Sequence, residues 1–173
     1  RITGNVVING KVCRADNGIT DVCYVDENGD LLLKRRQEFA NAQEAQQYMD
    51  ENKISFSLAF GPILVENYEA QELPVYMVGE LTGNFSREAL CQMDRLHYLV
   101  LVCNYEGTHT HMPTGKELVK LCQETGCIRA YNLDGGQTST VVMNNEVINN
   151  VSYGSQRLIS DIIYFGTAKP KEK

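Results

Sequence analysis

The sequence predicts an α+β fold, mixed and largely antiparallel, with two or three helices. Three observations lead there. Short apolar or alternating runs near the start, "NVVI", "TDVCYV" and "DLLL", are separated by Asn-Gly, Asp-Asn-Gly and Asn-Gly-Asp, the turn chemistry of a meander. Helical periodicity with capping signals is confined to a few segments. Strand-like runs then return after each of these and continue towards the C-terminus.

Taken in order, "NAQEAQQYMDEN" reads as a helix capped by Asn41, with Glu44 completing a capping-box-like pair. "ISFSLAFGPILVEN" is strand-like and is interrupted at Gly61-Pro62, which cannot continue a ladder. "REALCQM" and "HYLVLVC" flank Asp94-Arg95 and predict a hairpin whose register sets Cys91 opposite Tyr98, away from Cys103. The clearest helix starts at the Thr114/Glu117 box, carries Leu118, Val119, Leu121 and Cys122 as an apolar stripe, and stops at Gly126. "CIRAYNL" is the next strand, "TSTVVM" and "EVINN" form a hairpin around Asn144-Asn145, and "DIIYF" is read as a last strand. A lysine-rich tail over 166–173 is expected to fray.

With 173 residues and 43% hydrophobic content, the chain can bury one sizeable core, so residues 1–173 are read as a single domain. The net charge of -6 and the lack of a basic stripe argue against nucleic acid as a partner. No apolar run approaches the ~18 residues of a membrane span, and no signal peptide is visible ahead of "NVVING". Six cysteines permit disulfides without specifying any, because most lie in apolar runs where a thiol packs as a small hydrophobe. The sequons at Asn84 and Asn150 matter only in a secretory eukaryotic setting.

The chemistry concentrates in "YNLDGGQTSTVVMNNEVINN", residues 131–150. Asp134 emerges at the end of a buried strand, a rigid place to hold a reactive group. Gly135 and Gly136 allow backbone amides to converge as a nest for an anion, and Thr138, Ser139 and Thr140 add hydroxyls. Arg157 follows one hairpin later with a planar fork for the same anion, and Asp161 is placed to orient it. The plainer reading is a tight Asp-Gly turn and nothing more.

"AYNLDGGQTSTVVMNNEVINN" followed by "GSQRLISDIIYF" resembles the C-terminal part of the phosphodiester glycosidase family. Asn132, Leu133, Asp134, Gly135, Gly136, Ser139, Thr140, Arg157, Ser160 and Asp161 match its pattern. Upstream, "FGPILVENYE" resembles the family's F-G-P-x-L-V segment, and "SREALCQMDRLHYLVLV" resembles its P-R-T-A-x-G strand, with Arg87 on the family arginine. The resemblance covers Ser55 to Phe165. It implies a hydrolase cleaving a sugar-1-phosphodiester at the glycosidic carbon, outside the cell or on the cell surface of a bacterium; no cofactor is expected, and no residue is assigned to a metal. Asp134 would act at the anomeric centre or stabilise its developing positive charge, while Arg87, Arg157 and the Gly135-Gly136 amides would hold the phosphate. Asn132 would bind sugar hydroxyls or position Asp134, and Ser139, Thr140 and Asp161 would complete the substrate site.

Several features depart from the family pattern. Gln137 stands where a Gly or small residue is usual, Glu88 replaces a hydroxyl, and Cys103-Asn104-Tyr105-Glu106 replaces V-D-G-R. An N-G-G-F-F-type segment is absent, so the domain is read as lacking its first part. These departures sustain an alternative, a non-catalytic module binding anionic or phosphodiester-linked glycans. Elsewhere the signals are bland. His109 and His111 form an H-x-H pair with no third ligand at fixed spacing, His97 reads as half-buried and structural, and "LLLKRRQE" reads as a solvated strand edge. No cysteine has a well-placed histidine, and Ser139 is followed by a strand where a nucleophile elbow needs a helix.

Overall fold

A computed structural model describes residues 4–16, 20–75, 81–107 and 111–166. The chain runs β1 (Val6–Ile8), β2 (Lys11–Arg14), β3 (Val22–Asp26), β4 (Leu31–Lys34), α1 (Ala42–Glu51), β5 (Ile54–Leu58), β6 (Ile63–Glu66) and β7 (Glu69–Ala70). It continues with β8 (Glu88–Asp94), β9 (His97–Val102), α2 (Gly115–Glu124), β10 (Arg129–Asn132), β11 (Val142–Met143) and β12 (Glu146–Val147). Every strand pairing is antiparallel, so the α+β expectation holds.

Two sheets stack between α1 and α2. A three-stranded sheet, β4-β3-β5, faces a five-stranded sheet, β7-β6-β10-β8-β9. Side-chain alternation explains the layering. Along β3, Val22 and Tyr24 face α1 with Ala45 and Met49, while Cys23 and Val25 face the other sheet. Along β8, Leu90 joins Tyr131 and Ile63 between the sheets, while Ala89 and Cys91 pack under Leu118, Val119 and Cys122 of α2.

The helix ends follow the capping signals. Thr114 and Glu117 make a full capping box on α2, and Gly126 stands just past its end at φ 74°. Asn41 accepts from the Glu44 amide at 3.0 Å, whereas Glu44 reaches back one residue further, to the Ala40 amide, at 2.7 Å. Asn144 and Asn145 both take positive φ, 52° and 65°, in the β11–β12 turn.

Three expectations need correction. The β8–β9 turn lies one residue later, at Arg95-Leu96, and an irregularity between Gln92 and Asp94 sets Cys91 opposite Leu99. "DIIYF" forms no strand: residues 161–166 carry no ladder, and Ile162, Tyr164 and Phe165 are exposed. His97 is exposed rather than half-buried. The tail over 167–173 lies outside the described residues. All six cysteines are free, although the Cys91 and Cys122 sulfurs approach to 4.0 Å.

Buried polar groups join the sheets. The Tyr131 hydroxyl donates to the Asp21 carbonyl at 2.7 Å and accepts from the Phe60 amide at 3.0 Å. Gln92 accepts from the Leu31 amide at 3.0 Å and donates to Asp30 at 2.7 Å. Tyr131→Phe keeps the ring but leaves the Phe60 amide without this acceptor, so urea unfolding should show a loss of ~1–3 kcal/mol. An unchanged midpoint would show that the hydroxyl does not tie the sheets.

Candidate active site

β10 is the central strand of the larger sheet, buried on both faces and flanked by β6 and β8. Its pairing with β8 runs on past the strand end, because the Leu133 amide donates to the Glu88 carbonyl at 2.9 Å. The next residues press against the start of β8. A Cβ on Gly135 would lie 2.5 Å from the Ser86 carbonyl oxygen, so only glycine fits. Gly136 sits at φ 63° and donates its amide to that same carbonyl at 2.9 Å. A short 3-10 turn, Gly136–Thr138, follows.

Asp134 is thus fixed at the mouth of the sheet. One carboxylate oxygen accepts from the Gly135 amide at 2.7 Å, and the other accepts from Arg157 Nη2. Arg157 is delivered by the segment after β12. Gln137 Nε2 donates to Ser155 at its carbonyl (2.9 Å) and its hydroxyl (3.1 Å), and Ser152 Oγ donates to Ser86 Oγ at 2.9 Å. The pair remains open to solvent, with 40% of the Asp134 side chain and 51% of the Arg157 side chain exposed.

Glu88 adds a second carboxyl. Burial, and then the negative charge of Asp134, push it up from 4.5 to about 7. Among the described residues neither of its oxygens has a hydrogen-bond or ion-pair partner. A carboxyl poised near neutrality beside an ionised one is the division of labour that acid–base chemistry uses.

The structure gathers some of the expected residues and spends others on the fold. Asp134, Gly135, Gly136 and Arg157 converge. The two glycine amides, expected to form an anion nest, donate instead to the Asp134 carboxylate and the Ser86 carbonyl. Arg87, expected on the phosphate, is only 6% exposed, and its guanidinium donates to the carbonyls of Pro113 (2.8 Å), Gly83 (2.7 Å) and Leu81 (3.4 Å). Asp161, expected to orient Arg157, is exposed and accepts from Ser160 Oγ at 2.7 Å, because Asp134 takes the arginine.

Asn132 is buried and donates to the Gly61 carbonyl at 2.7 Å, which ties the strand end to the Gly61-Pro62 turn. Its Oδ1 and the Ser139 hydroxyl are buried without a hydrogen-bond partner. The Thr138 and Thr140 hydroxyls donate to carbonyls of their own turn, those of Gly135 and Gln137. Glu88 was legible only as a departure from the family pattern. Its burial beside Asp134 depends on a pairing between strands far apart in sequence.

Metal and thiol chemistry find little support. Among the described residues no group of three or more His, Cys, Asp or Glu could hold a metal ion. His109 lies outside those residues, and His111 is exposed. Burial pushes the Cys23 thiol up to about 12, away from thiolate reactivity. Among the described residues no helix is long and apolar enough to cross a membrane.

Two outcomes test this geometry. The Glu88 proton is bound more tightly in the folded chain, so its contribution to stability is complete below pH ~4.5 and is lost as pH rises through ~7. Glu88→Gln removes that dependence, so the melting temperature of the variant relative to the native protein should climb between those pH values. A constant offset would place Glu88 in ordinary solvent. Gly135→Ala must displace the Ser86 backbone and should cost ~1–3 kcal/mol in chemical denaturation.

Over 107 residues the chain is 26% identical to the SPbeta prophage-derived uncharacterized protein YomE of Bacillus subtilis (strain 168), covering 62% of this chain and 17% of that protein. The fold is similar to the zebrafish N-acetylglucosamine-1-phosphodiester alpha-N-acetylglucosaminidase catalytic domain auto-inhibited by pro-peptide. That match has a TM-score of 0.68 and 16% identity, and covers 88% of this chain and 52% of that one. The chain therefore spans about half the length of the zebrafish domain and less than a fifth of YomE. The model of the phosphodiester glycosidase family matches residues 2–166, nearly the whole chain, and the protein belongs to that family.

Proposed function

We propose that the protein hydrolyses the glycosidic bond of a sugar-1-phosphodiester, such as an N-acetylglucosamine-1-phospho-glycan, releasing free sugar and a phosphomonoester. The observation that carries this reading is the open Asp134–Arg157 pair at the end of a rigid central strand. An exposed ion pair of this kind contributes only ~0–1 kcal/mol, so an entering phosphodiester can take the guanidinium at small cost. The Asp134 carboxylate is then released beside the anomeric carbon.

Phosphate is a good leaving group, so the reaction needs charge stabilisation more than strong acid catalysis. Arg157 meets the developing phosphate charge with its planar fork. Asp134 activates water or stabilises the positive charge growing at the sugar carbon, and Glu88 stands next to it as a proton reservoir near neutral pH. Arg87 acts at one remove: by fastening the Leu81–Gly83 and Pro113 carbonyls, it holds the start of β8 against which Gly135 and Gly136 rest. A non-catalytic, glycan-binding reading draws on one observation, the closure of the glycine amides onto the chain itself.

Release of free N-acetylglucosamine from its 1-phosphodiesters is the direct test. Asp134→Asn should lower turnover by roughly a thousandfold while leaving the circular dichroism spectrum unchanged. Full activity in that variant would remove Asp134 from the chemistry. Saccharide-phosphate binding without turnover in the native protein would favour the binding module.

A further inference from the structure

A groove of about 870 Å³ opens beside the site, walled in part by Tyr105, Glu106, Asn149, Asn150, Ser155 and Gln156. Its connection to the site is covalent and short. Gln156 directly precedes Arg157, and Ser155 is the residue that holds Gln137 of the Asp134 loop. A volume of this order lies within the ~300–1,000 Å³ typical of small-ligand clefts.

Tyr105 is a prearranged aromatic wall. Its amide donates to the Asn150 carbonyl at 3.2 Å, and its hydroxyl donates to the Gly107 carbonyl at 2.9 Å. Its ring meets that of Tyr153 at 6.0 Å between centroids, tilted by 35°. Tyr153 itself stands at φ 59° and ψ 16° and is 66% exposed.

The charge and hydrogen-bonding character of the walls select the ligand. Among the described residues that line the groove Glu106 is the one charged side chain, so an anion is disfavoured there and belongs with Arg157. Asn150 and Gln156 offer amides that both donate and accept, as sugar hydroxyls require. An aromatic wall beside neutral amides suits a ligand with apolar C–H faces and a hydroxyl rim. We infer that this groove is a saccharide subsite, taking a neutral pyranose unit of the glycan that carries the phosphodiester. The ligand class rests on the glycosidase reading, and the groove lies where the chain departs from the family motif, at Tyr105-Glu106.

The experiment avoids both phosphate and turnover. Phosphate-free chitotriose, mannotriose and maltotriose are titrated into the ¹⁵N-labelled full chain. At least one should shift the Tyr105, Asn150 and Gln156 amides. Tyr105→Ala should weaken that binding about tenfold, Tyr105→Phe should retain it because the ring remains, and the exposed Gln156→Ala should weaken it without threatening the fold. Asp134→Asn should leave the shifts intact, so a failed glycosidase assay and a failed subsite are separable. No shift with any of the three sugars, or shifts that persist undiminished in Tyr105→Ala, would overturn the inference.

Discussion

Five strands meet where the hydroxyl of Tyr131 bonds to Asp21. The hydroxyl lies in β10, donates to the carbonyl of Asp21 just before β3, and accepts from the amide of Phe60 just after β5. The Asp21 carboxylate in turn accepts from Ile63 at the start of β6 (3.0 Å) and from Arg36 just beyond β4 (2.8 Å). Apolar contact alone would let two sheets slide, because the hydrophobic effect has no direction. Buried hydrogen bonds fix their register, since each partner left unpaired would carry the full cost of desolvation. Asp134 emerges three residues beyond this junction, so its position is inherited from it.

The two arginines show how burial separates structure from chemistry. Arg87 lies among backbone carbonyls, and withdrawing it would strand those of Leu81, Gly83 and Pro113. Arg157 meets Asp134 in the open, where water and salt screen the attraction. The exchange of a carboxylate for a phosphate that we propose for Arg157 requires the second environment. Close backbone packing imposes a related division on the glycine loop. The approach of Gly135 to Ser86 leaves no room for a side chain and brings Glu88 up beside Asp134, where burial and like charge favour its protonated form.

The departures from the family motif cluster around the site. Glu88 supplies the second carboxyl, Gln137 fastens the loop to Ser155, and Tyr105 with Glu106 walls the neighbouring groove. Together they form one connected region beside the Asp134 loop.

Local chemistry made much of the fold legible in the sequence. The Thr114/Glu117 box, Gly126, the Asn144-Asn145 turn and the alternation along β3 each act within a few residues, and each sits where those rules place it. The Asp-Gly-Gly loop and the family were legible for the same reason, because the motif is a run of neighbours. Where competing local choices were nearly equal, tertiary contacts decided. The hairpin turn moved to Arg95-Leu96, and "DIIYF", strand-like in composition, found no partner strand. The roles of Arg87, the glycine amides and Asp161 could not be read from spacing, because a side chain's partner is set by what packs against it. The sequence by itself determined most of the elements, the loop and the family. Only the tertiary structure decided which charges face water and which are consumed by the fold, because burial and long-range pairing join residues that the chain keeps far apart.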